Sequence, residues 1–532
     1  MLQRFGSSSG LLLRRLLLVV VFVLLPLAPV SGQQASDEAR LREIDEYAAK
    51  ALRDWRVPGM ALAIVKDDRV LFAKGYGVRE TGKPAPVDEH TLFAVASNTK
   101  AFTAAALAIL VDEGKVRWDD PVTKYLPSFQ LFDTYATREL TLRDLLSHRS
   151  GLATFGGDLL WYETTYGRDE ILRRIRFLKP VSSFRSRYGY QNVMFVAAGQ
   201  VVAAVTGKSW DDFVRERFFA PLGMNSTNTS IKDFRPGANV ASPHNELDGR
   251  LRVVHYGNVD GAGPAASINS SVADMAQWIR LQLGRGTYQG RQIFSPRAAR
   301  EMWQPVTIVP VSETAERFNP TQHFNAYGLG WFLSDYHGRK VVTHSGGLDG
   351  MISRVGMLPE ERLGLVVLTN SETPVSTALM YKIFDIFLGA PARDWSADYL
   401  ARTRQAEEAA KAEQRRVDES RVTGTRPSLA LAKYAGAYGG EMYGEARIAE
   451  EQGRLVLRLL PSPNLVADLE HWHYDTFLVR WRETVAYPFG RGFVTFTLDA
   501  RGEADEMKID VPNPDFDFKE LEFKRLKNQP QN

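Results

Sequence analysis

Residues 91–101 read Thr-Leu-Phe-Ala-Val-Ala-Ser-Asn-Thr-Lys-Ala, and their pattern changes in the middle. The apolar run 92–96 is typical of a short buried strand, whereas the alanine-rich run 101–112 is typical of a helix. Ser97 and Lys100 lie at the junction, and no other serine in the 532 residues has a lysine three positions on. On a helix, positions i and i+3 share one face, so the Lys100 ammonium can fold back against the Ser97 hydroxyl. The stretch therefore predicts a strand-to-helix turn that presents a serine beside a lysine.

This pairing points to chemistry because a serine hydroxyl is a weak nucleophile until a neighbouring base takes its proton, and a desolvated lysine can take it. At a helix N-terminus Ser97 would also lie beside free backbone N–H groups and the positive end of the helix dipole. Taken alone, however, Ser97 as a helix cap followed by a surface Lys100 accounts for the same letters. The nucleophile hypothesis therefore depends on partners further along the chain.

Two downstream clusters offer such partners. Residues 188–192 (Tyr-Gly-Tyr-Gln-Asn) precede an apolar helical run, and residues 343–347 (Thr-His-Ser-Gly-Gly) follow a short strand-like segment. Each cluster also has an ordinary structural explanation. Tyr190 can be a buried aromatic residue at a loop-to-helix junction, and His344 a hydrogen-bonded histidine in a strand. Their order and spacing after Ser97 favour a shared site.

The Ser-x-x-Lys, Tyr-x-Asn and His-x-Gly elements, at 97–100, 190–192 and 344–346, resemble the three-element active site of penicillin-recognising serine hydrolases. The Tyr-x-Asn element is similar to the branch with class C β-lactamases, D-alanyl-D-alanine carboxypeptidases and D-aminopeptidases (peptidase family S12). His344 stands where β-lactamases carry the lysine of Lys-Thr-Gly, a departure that disfavours efficient β-lactam hydrolysis. The resemblance covers most of residues 40–385.

The resemblance implies a role for each residue. Ser97 would form an acyl-enzyme, while Lys100 and Tyr190 would share the general-base work. Which of the two takes the proton stays open, because a tyrosine with a pKa near 10 needs nearby cations to ionise, such as Lys100 or a protonated His344. The substrate-binding and orienting residues would be Asn192, His344, Ser345 and Gly346, and the oxyanion hole would be formed by the backbone N–H groups of Ser97 and Gly347. No cofactor and no metal is expected.

An enzyme and a binding protein are both compatible with this pattern. The enzyme would be a secreted serine hydrolase acting on amide or ester bonds: a peptidase for D-amino-acid or short peptides, an esterase, or a weak β-lactamase. The alternative is a penicillin-binding-like module without turnover that serves binding or assembly. The enzyme is favoured because a decayed site is expected to have lost at least one of its five polar residues, Ser97, Lys100, Tyr190, Asn192 and His344.

The N-terminus predicts export. Arg14 and Arg15 precede the apolar stretch 16–25, and small residues follow up to Gly32. A positive segment, a short apolar core and a small-residue exit describe a secretory signal peptide, assigned to residues 1–32. The expected location is periplasmic or extracellular. The alternative is an uncleaved membrane anchor, for which the apolar core is short.

The amino-acid composition restricts the kinds of partner that the protein can bind. The chain has no cysteine, so an exported form depends on no disulfide. Its formal net charge of +3 gives no basic field for nucleic acid. His471 and His473 share one side of a predicted strand, but no third ligand stands at a recognisable spacing, which favours a structural role over a metal site. The expected partners are a small-molecule or peptide substrate and a second copy of the chain through the C-terminal domain.

The fold class expected is α+β. A β-lactamase/transpeptidase-like domain over 40–390 would contain an antiparallel sheet flanked by helices, a helical subdomain between Trp118 and about Ser295, and His344 on the edge strand of the sheet. A helical connector and linker over 391–428 would lead to a small antiparallel β-barrel over 429–528, where short alternating strands are separated by Gly, Pro and Asp turns. The start of this last region resembles the lipocalin-like domain appended to some of these hydrolases.

Overall fold

A computed structural model of the chain describes residues 31–247, 249–483 and 489–526, and for residues 31–36 only the backbone. The predicted signal peptide falls almost entirely outside the described residues. Within them, no single helix is long and apolar enough to cross a membrane; Asn192–Thr206 and Trp210–Leu222 meet that test only as a pair bent by 80°.

The strands are, in chain order, β1 (Gly59–Lys66), β2 (Arg69–Gly77), β3 (Phe93–Ala94), β4 (His244–Leu247), β5 (Arg250–Val253), β6 (Asn269–Ser270), β7 (Thr287–Tyr288), β8 (Arg291–Gln292), β9 (Thr307–Val309), β10 (Asn325–Tyr327), β11 (Phe332–Tyr336), β12 (Arg339–Leu348), β13 (Met351–Leu358), β14 (Leu363–Thr369), β15 (Gly436–Gly440), β16 (Gly444–Glu451), β17 (Arg454–Leu459), β18 (Val466–His473), β19 (Thr476–Trp481), β20 (Gly492–Leu498), β21 (Ala504–Asp510) and β22 (Phe523–Arg525).

The α-helices are α1 (Ser31–Asp54), α2 (Thr99–Asp112), α3 (Thr134–Glu139), α4 (Leu142–Leu146), α5 (Arg168–Arg174), α6 (Asn192–Thr206), α7 (Trp210–Val214), α8 (Ala220–Leu222), α9 (Gly263–Ala266), α10 (Val272–Leu283), α11 (Pro296–Met302), α12 (Glu313–Phe318), α13 (Val375–Leu388) and α14 (Trp395–Glu419).

The main sheet has eight antiparallel strands in the order β2-β1-β14-β13-β12-β11-β10-β9. Successive side chains of a strand point to opposite faces, and β1 shows the result. Ala61 and Ala63 belong to the core shared with α2 and α10, whereas Leu62 and Ile64 belong to the core shared with α1, α13 and α14. Helices therefore cover both faces, which confirms the predicted β-lactamase/transpeptidase-like architecture.

The strand that carries His344 is not at the edge of the sheet, so that expectation was wrong. β12 lies between β13 and β11, but its pairing with β11 ends at Thr343. From His344 to Leu348 it pairs only with β13. The half of the strand with the His-Ser-Gly-Gly sequence therefore has an open side, which a substrate can reach although the strand is internal.

The helical subdomain is present between Trp118 and Ser295, with α6 as a central buried helix. The segment 261–266 is a largely buried helical turn that ends in α9. Gly199 of α6 allows this packing, because a Cβ there would come within 2.1 Å of the Pro264 ring. The small residues of the segment thus serve close contact between helices.

The C-terminal domain is a closed antiparallel barrel of eight strands, β15 to β22, which confirms the predicted barrel. The first and last strands close it through the pair Tyr438 and Arg525. The alternation of the sequence predicts five of the strands, β16, β17, β19, β20 and β21, but not β15, β22 or β18 outside the region of His471 and His473. β15 is rich in glycine, β18 contains charged residues and a bulge, and β22 has only three residues. These segments are strands because they pair with neighbouring strands, and the local sequence does not reveal that pairing.

Candidate active site

The structure forms the predicted turn between a strand and a helix. β3 ends at Ala94, residues 96–98 make one 3₁₀ turn, and α2 begins at Thr99. Ala96 has a φ of +44°, in the left-handed region that is costly for a residue with a side chain. This strained residue directly precedes Ser97, which lines a cavity together with Tyr190, Asn192 and His344. The surrounding packing thus holds the half-buried serine at a sharp bend on the cavity wall.

Lys100 is fully buried, and its Nζ lies 3.1 Å from the Ser97 Oγ. The same nitrogen donates to the Asn192 Oδ1 at 2.6 Å and to the Ala265 carbonyl at 3.0 Å. A neutral amine has two N–H groups and one lone pair. Because the two protein acceptors take the N–H groups, the lone pair is left for the Ser97 hydroxyl. The arrangement suits a lysine that accepts the proton of the serine.

Asp158 is the residue of this network that sequence reasoning missed. Its carboxylate accepts from the Asn192 Nδ2 at 2.5 Å and from the Trp161 indole N–H at 2.8 Å. Burial raises the pKa of Asp158 and lowers the pKa of Lys100, since each charged form is desolvated. The Asn192 amide links the Asp158 carboxylate to the Lys100 amine. Burial moves the pKa values of these two groups towards each other. Asp158 stands alone in a Gly-Gly-Asp-Leu-Leu segment without a spacing signal, so only the folded chain reveals it.

Both ends of the Asn192 side-chain amide form hydrogen bonds in the path from Asp158 to Lys100. Its carbonyl oxygen faces Lys100, which agrees with the expected orienting role, and one of its N–H groups is committed to Asp158. The residue still borders the cavity. The second N–H is therefore the group with which Asn192 can meet a substrate.

Tyr190 lies on the other side of the nucleophile. Its hydroxyl is hydrogen-bonded to Ser97, and its ring centroid is 4.7 Å from the Lys100 Nζ. Burial raises the pKa of Tyr190 well above its usual value of 10, and the hydrogen bond with Ser97 offsets only part of the cost of desolvating a phenolate. The imidazole of His148 packs on the ring at 4.2 Å. Tyr190 is held as a neutral phenol in contact with the nucleophile.

His344 is also neutral, so of the two candidate cations for Tyr190 the protonated His344 is disfavoured. Burial and the nearby Lys100 lower its pKa to about 3. Its Nδ1 lies 2.6 Å from the Ser345 carbonyl, which can only accept, and its Nε2 lies 2.8 Å from the Tyr327 hydroxyl. The ring therefore donates from Nδ1 and accepts from Tyr327. Both nitrogens are occupied within the protein, and His344 supplies no cation to Tyr190.

β12 packs directly on the nucleophile turn. A Cβ on Gly346 would lie 2.2 Å from the Val95 carbonyl and 2.7 Å from the Ser97 backbone nitrogen, so no side chain fits there. Ser353, opposite Gly346, donates to the same carbonyl at 2.6 Å and accepts from Asn98 at 2.7 Å. These contacts fix the distance between the serine and the open side of β12. Ser345 and Gly347 line the cavity as well.

The barrel domain completes the cavity, which has a volume of about 640 Å³. Asp515 and Phe516, from the loop after β21, line it together with residues of the catalytic domain. The Phe516 ring lies 4.3 Å from that of Tyr162. Nearby, the Glu520 carboxylate accepts from the Gly157 N–H at 3.0 Å, directly before Asp158. The C-terminal domain thus contacts both the cavity wall and the loop that contains Asp158.

Two further carboxyl groups border the same cavity. Asp349 accepts from the Tyr162 hydroxyl at 2.5 Å, and burial raises its pKa to about 7. Glu372 accepts from the Gly350 N–H at 2.7 Å. Asp349 lies in the hairpin between β12 and β13, and so does Gly350, the donor to Glu372. Hydrogen bonds thus fix both carboxyl groups at this hairpin.

Within the described ranges, no cluster of three or more His, Cys, Asp or Glu side chains could hold a metal ion. His471 Nε2 lies 3.0 Å from the Tyr474 carbonyl, and His473 Nδ1 accepts from the Val422 N–H at 3.3 Å. These bonds support the structural interpretation of the two histidines.

Comparison with known proteins gives two family matches. Residues 44–384 match the beta-lactamase family, and residues 420–525 match a domain of unknown function, DUF3471. A relative named unguisins hydrolase, from Aspergillus campestris, is 32% identical over 450 residues, covering 80% of this chain and 81% of its own.

Two solved structures are similar. The octameric penicillin-binding protein homologue from Pyrococcus abyssi is 20% identical with a TM-score of 0.59, covering 91% of this chain and 100% of its own. D-amino acid amidase from Ochrobactrum anthropi, in complex with L-phenylalanine amide, is 25% identical with a TM-score of 0.54, covering 65% of this chain and 98% of its own. The first similarity reaches into the barrel, and the second is confined to a smaller part of the chain.

Proposed function

The chain belongs to the beta-lactamase family, and we propose that it is an exported serine hydrolase that cleaves an amide or ester bond through an acyl-enzyme on Ser97. The bond between Lys100 Nζ and Ser97 Oγ, at 3.1 Å, carries this proposal. Burial disfavours the ammonium, and the two N–H donors of the amine are already committed, so Lys100 is poised to accept a proton at neutral pH.

The first half-reaction uses this base. The Ser97 Oγ attacks the substrate carbonyl carbon while its proton moves to the Lys100 lone pair, giving a tetrahedral intermediate. The expected oxyanion hole, the N–H groups of Ser97 and Gly347, would stabilise the negative oxygen, and removing such a donor typically slows a reaction by about a hundredfold or more.

Tyr190 is the group placed to pass the proton on. It keeps its own proton because its pKa is raised, and it touches the Ser97 oxygen. As the intermediate collapses, the phenol can donate to the departing nitrogen or oxygen and recover a proton from Lys100. The leaving group then departs protonated, and the acyl-enzyme remains. Water attacks the acyl carbon with Lys100 again as base, which releases the acid and restores Ser97.

The substrate we propose is a short peptide, including peptides with D-amino acids, or an ester. An amide bond is favoured because one structural neighbour is a D-amino acid amidase, and the relative named unguisins hydrolase supports hydrolysis in general. The cavity of about 640 Å³ has room for a short peptide. β-Lactam hydrolysis is disfavoured, since the lysine of Lys-Thr-Gly is replaced by the neutral His344.

Labelling of the whole chain with a fluorophosphonate, followed by intact-mass measurement, tests the proposal. We expect one adduct, lost in Ser97→Ala and slowed by several orders of magnitude in Lys100→Ala. The matched control is Ser128→Ala, a serine outside the cavity, which should label like the wild type. The absence of any adduct, or full labelling of a folded Ser97→Ala protein, would replace the enzyme with a penicillin-binding-like binding module.

Export and assembly are separate proposals. A secretory signal peptide predicts a mature protein that begins near Gln33 and is found outside the cytoplasm, which N-terminal sequencing of fractionated cells would test. Full-length protein retained in the membrane fraction would favour the anchor instead. A homo-oligomer through the barrel domain is tested by light scattering, and a monomeric mass would contradict it.

A further inference from the structure

Several hydrogen bonds join the barrel domain to one segment of the catalytic domain, residues 157–166. The Thr165 N–H donates to the Pro461 carbonyl at 2.9 Å. The Ser462 hydroxyl, which is fully buried, donates to the Tyr162 carbonyl at 3.3 Å. Both barrel residues lie between β17 and β18. The position of the barrel therefore acts directly on the backbone of this segment.

Glu520 makes the barrel contact that is next to Asp158 in the chain. The Gly157 N–H donates to both carboxyl oxygens of Glu520, at 3.0 Å each. Gly157 has a φ of +82° and is the N-cap of the 3₁₀ turn Asp158–Leu160, which has no side-chain cap bond. In a capping box, an acidic side chain from the first turn accepts from the N-cap N–H. Here the barrel supplies that acceptor, and it fixes the backbone directly before Asp158.

No ion pair accounts for the place of Glu520 at this interface. Within the described ranges, no Lys, Arg or His nitrogen lies within 4.0 Å of its carboxyl oxygens, and Gly157 is its only hydrogen-bond donor. Glu522, two residues on, pairs instead with Lys179 at 2.6 Å, and both of these side chains are 64% exposed. Glu520 is thus held by one backbone N–H, whereas Glu522 makes a surface ion pair between the same domains.

The contact of Glu520 with the turn does not depend on a charge. Burial, together with the nearby carboxylates of Asp158 and Asp517, raises the pKa of Glu520 to about 8, against the Gly157 N–H, which lowers it. The side chain is therefore largely neutral at pH 7. A neutral carboxyl group still has an oxygen that accepts from the Gly157 N–H. A glutamine can serve in the same way.

We propose that Glu520 is a positioning residue, which holds the turn so that the Asp158 carboxylate meets the Asn192 amide. That carboxylate accepts from the Asn192 Nδ2 at 2.5 Å, and the Asn192 Oδ1 accepts from the Lys100 Nζ at 2.6 Å. Glu520 does not line the cavity, and it acts on the base through these two bonds. The inference rests on the proposed function, and it makes the barrel domain a determinant of how the nucleophile reacts.

Fluorophosphonate labelling of the full chain, measured against pH, tests this role with two variants of similar size. Glu520→Met lacks an acceptor, so the turn is released and Lys100 loses part of the support that Asp158 gives to its ammonium form. The onset of labelling should move to lower pH by about half to one unit, and the plateau should fall severalfold. Glu520→Gln keeps an acceptor for Gly157 and should restore the wild-type profile below about pH 8. Glu520→Ala should behave like Glu520→Met and guards against a clash of the methionine side chain.

Two comparisons separate positioning from a structural effect. Glu522→Met breaks the neighbouring ion pair between the domains, and its pH profile should match that of the wild type. In the Asp158→Asn background, Glu520→Met should cause no further shift of the onset, because the charge that Glu520 positions is already gone. Residues that act independently would give the same shift in both backgrounds.

The outcomes separate this role from the hydrolase itself. An unchanged onset in folded Glu520→Met and Glu520→Ala, the same shift in both backgrounds, or a Glu520→Gln profile like that of Glu520→Met would overturn the positioning role while the hydrolase stands. A lower Tm of Glu520→Met with an unaltered pH profile would make the contact structural only. The absence of a fluorophosphonate adduct on Ser97 in the wild type would overturn the hydrolase.

Discussion

The charge of Asp158 should set the pH range in which Ser97 is reactive. Its carboxylate reaches Lys100 through the Asn192 amide, by hydrogen bonds of 2.5 and 2.6 Å. A negative charge there favours the ammonium form of Lys100 and so raises its pKa. Across a path of about 7 Å, with an effective dielectric constant of about 20, two unit charges interact by about 2 kcal/mol. That energy corresponds to a shift of about one to two pH units.

The perturbation is Asp158→Asn, which removes the charge and keeps an oxygen for the Asn192 N–H. The pKa of Lys100 should fall, so the neutral amine persists to lower pH. Plotted against pH, the rate of fluorophosphonate labelling should begin to rise about one to two units lower than in the wild type. The plateau should fall by less than about tenfold, since the indole N–H of Trp161 loses its acceptor.

Labelling is the right assay because it requires the nucleophile and its base but no deacylation. The matched control is Asp515→Asn, which removes a carboxyl group from the same cavity outside the hydrogen-bonded path. Its profile should move far less. A rise of labelling at an unchanged or higher pH in Asp158→Asn, with the fold intact by circular dichroism, would refute the electrostatic link between the two residues.

Three further predictions follow from the packing around the nucleophile. Gly346→Ala should lower both Tm and labelling rate strongly, because its Cβ would meet the Ser97 backbone nitrogen at 2.7 Å, whereas Gly347→Ala, whose Cβ meets only a methyl group at 3.5 Å, should be tolerated far better. Similar losses in the two variants would contradict the tight contact. Tyr190→Phe should slow labelling by about a hundredfold. The pH profile below pH 9 should keep its shape, since the phenol is neutral there. The loss of an ionisation near neutral pH would instead show that Tyr190 acts as a phenolate. Phe516→Ala should raise KM for peptide or ester substrates several-fold with little change in kcat, measured by initial rates, and an unaltered KM would remove the barrel from the binding wall.

The local sequence was sufficient for elements whose cause is local. The apolar run 92–96 and the alanine-rich helix after it placed Ser97 and Lys100 one turn apart, and helical geometry alone brings such residues together. The order of the three motifs supported the domain architecture. Alternation of apolar residues in segments such as β17 and β20 predicted a barrel, because each strand has one buried face.

Protonation states could not be read from the sequence. The letters His344 and Tyr190 were compatible with a cation and a phenolate, but both are fully buried, and desolvation makes both neutral. Burial depends on which elements pack around a side chain, and those elements come from distant parts of the chain. The open side of an internal strand has the same origin, since it depends on where β11 stops pairing.

The sequence by itself identified the candidate nucleophile, the lysine beside it and the class of fold, because these follow from spacing within single elements and from the order of motifs. Only the tertiary structure decided that Asp158 hydrogen-bonds to Asn192, that Phe516 of the barrel lines the cavity, and that Ser353 donates to the Val95 carbonyl next to the Ser97 turn. These three residues come from a loop, a second domain and a neighbouring strand. Their roles arise from contacts between residues far apart in the chain, which no local pattern encodes.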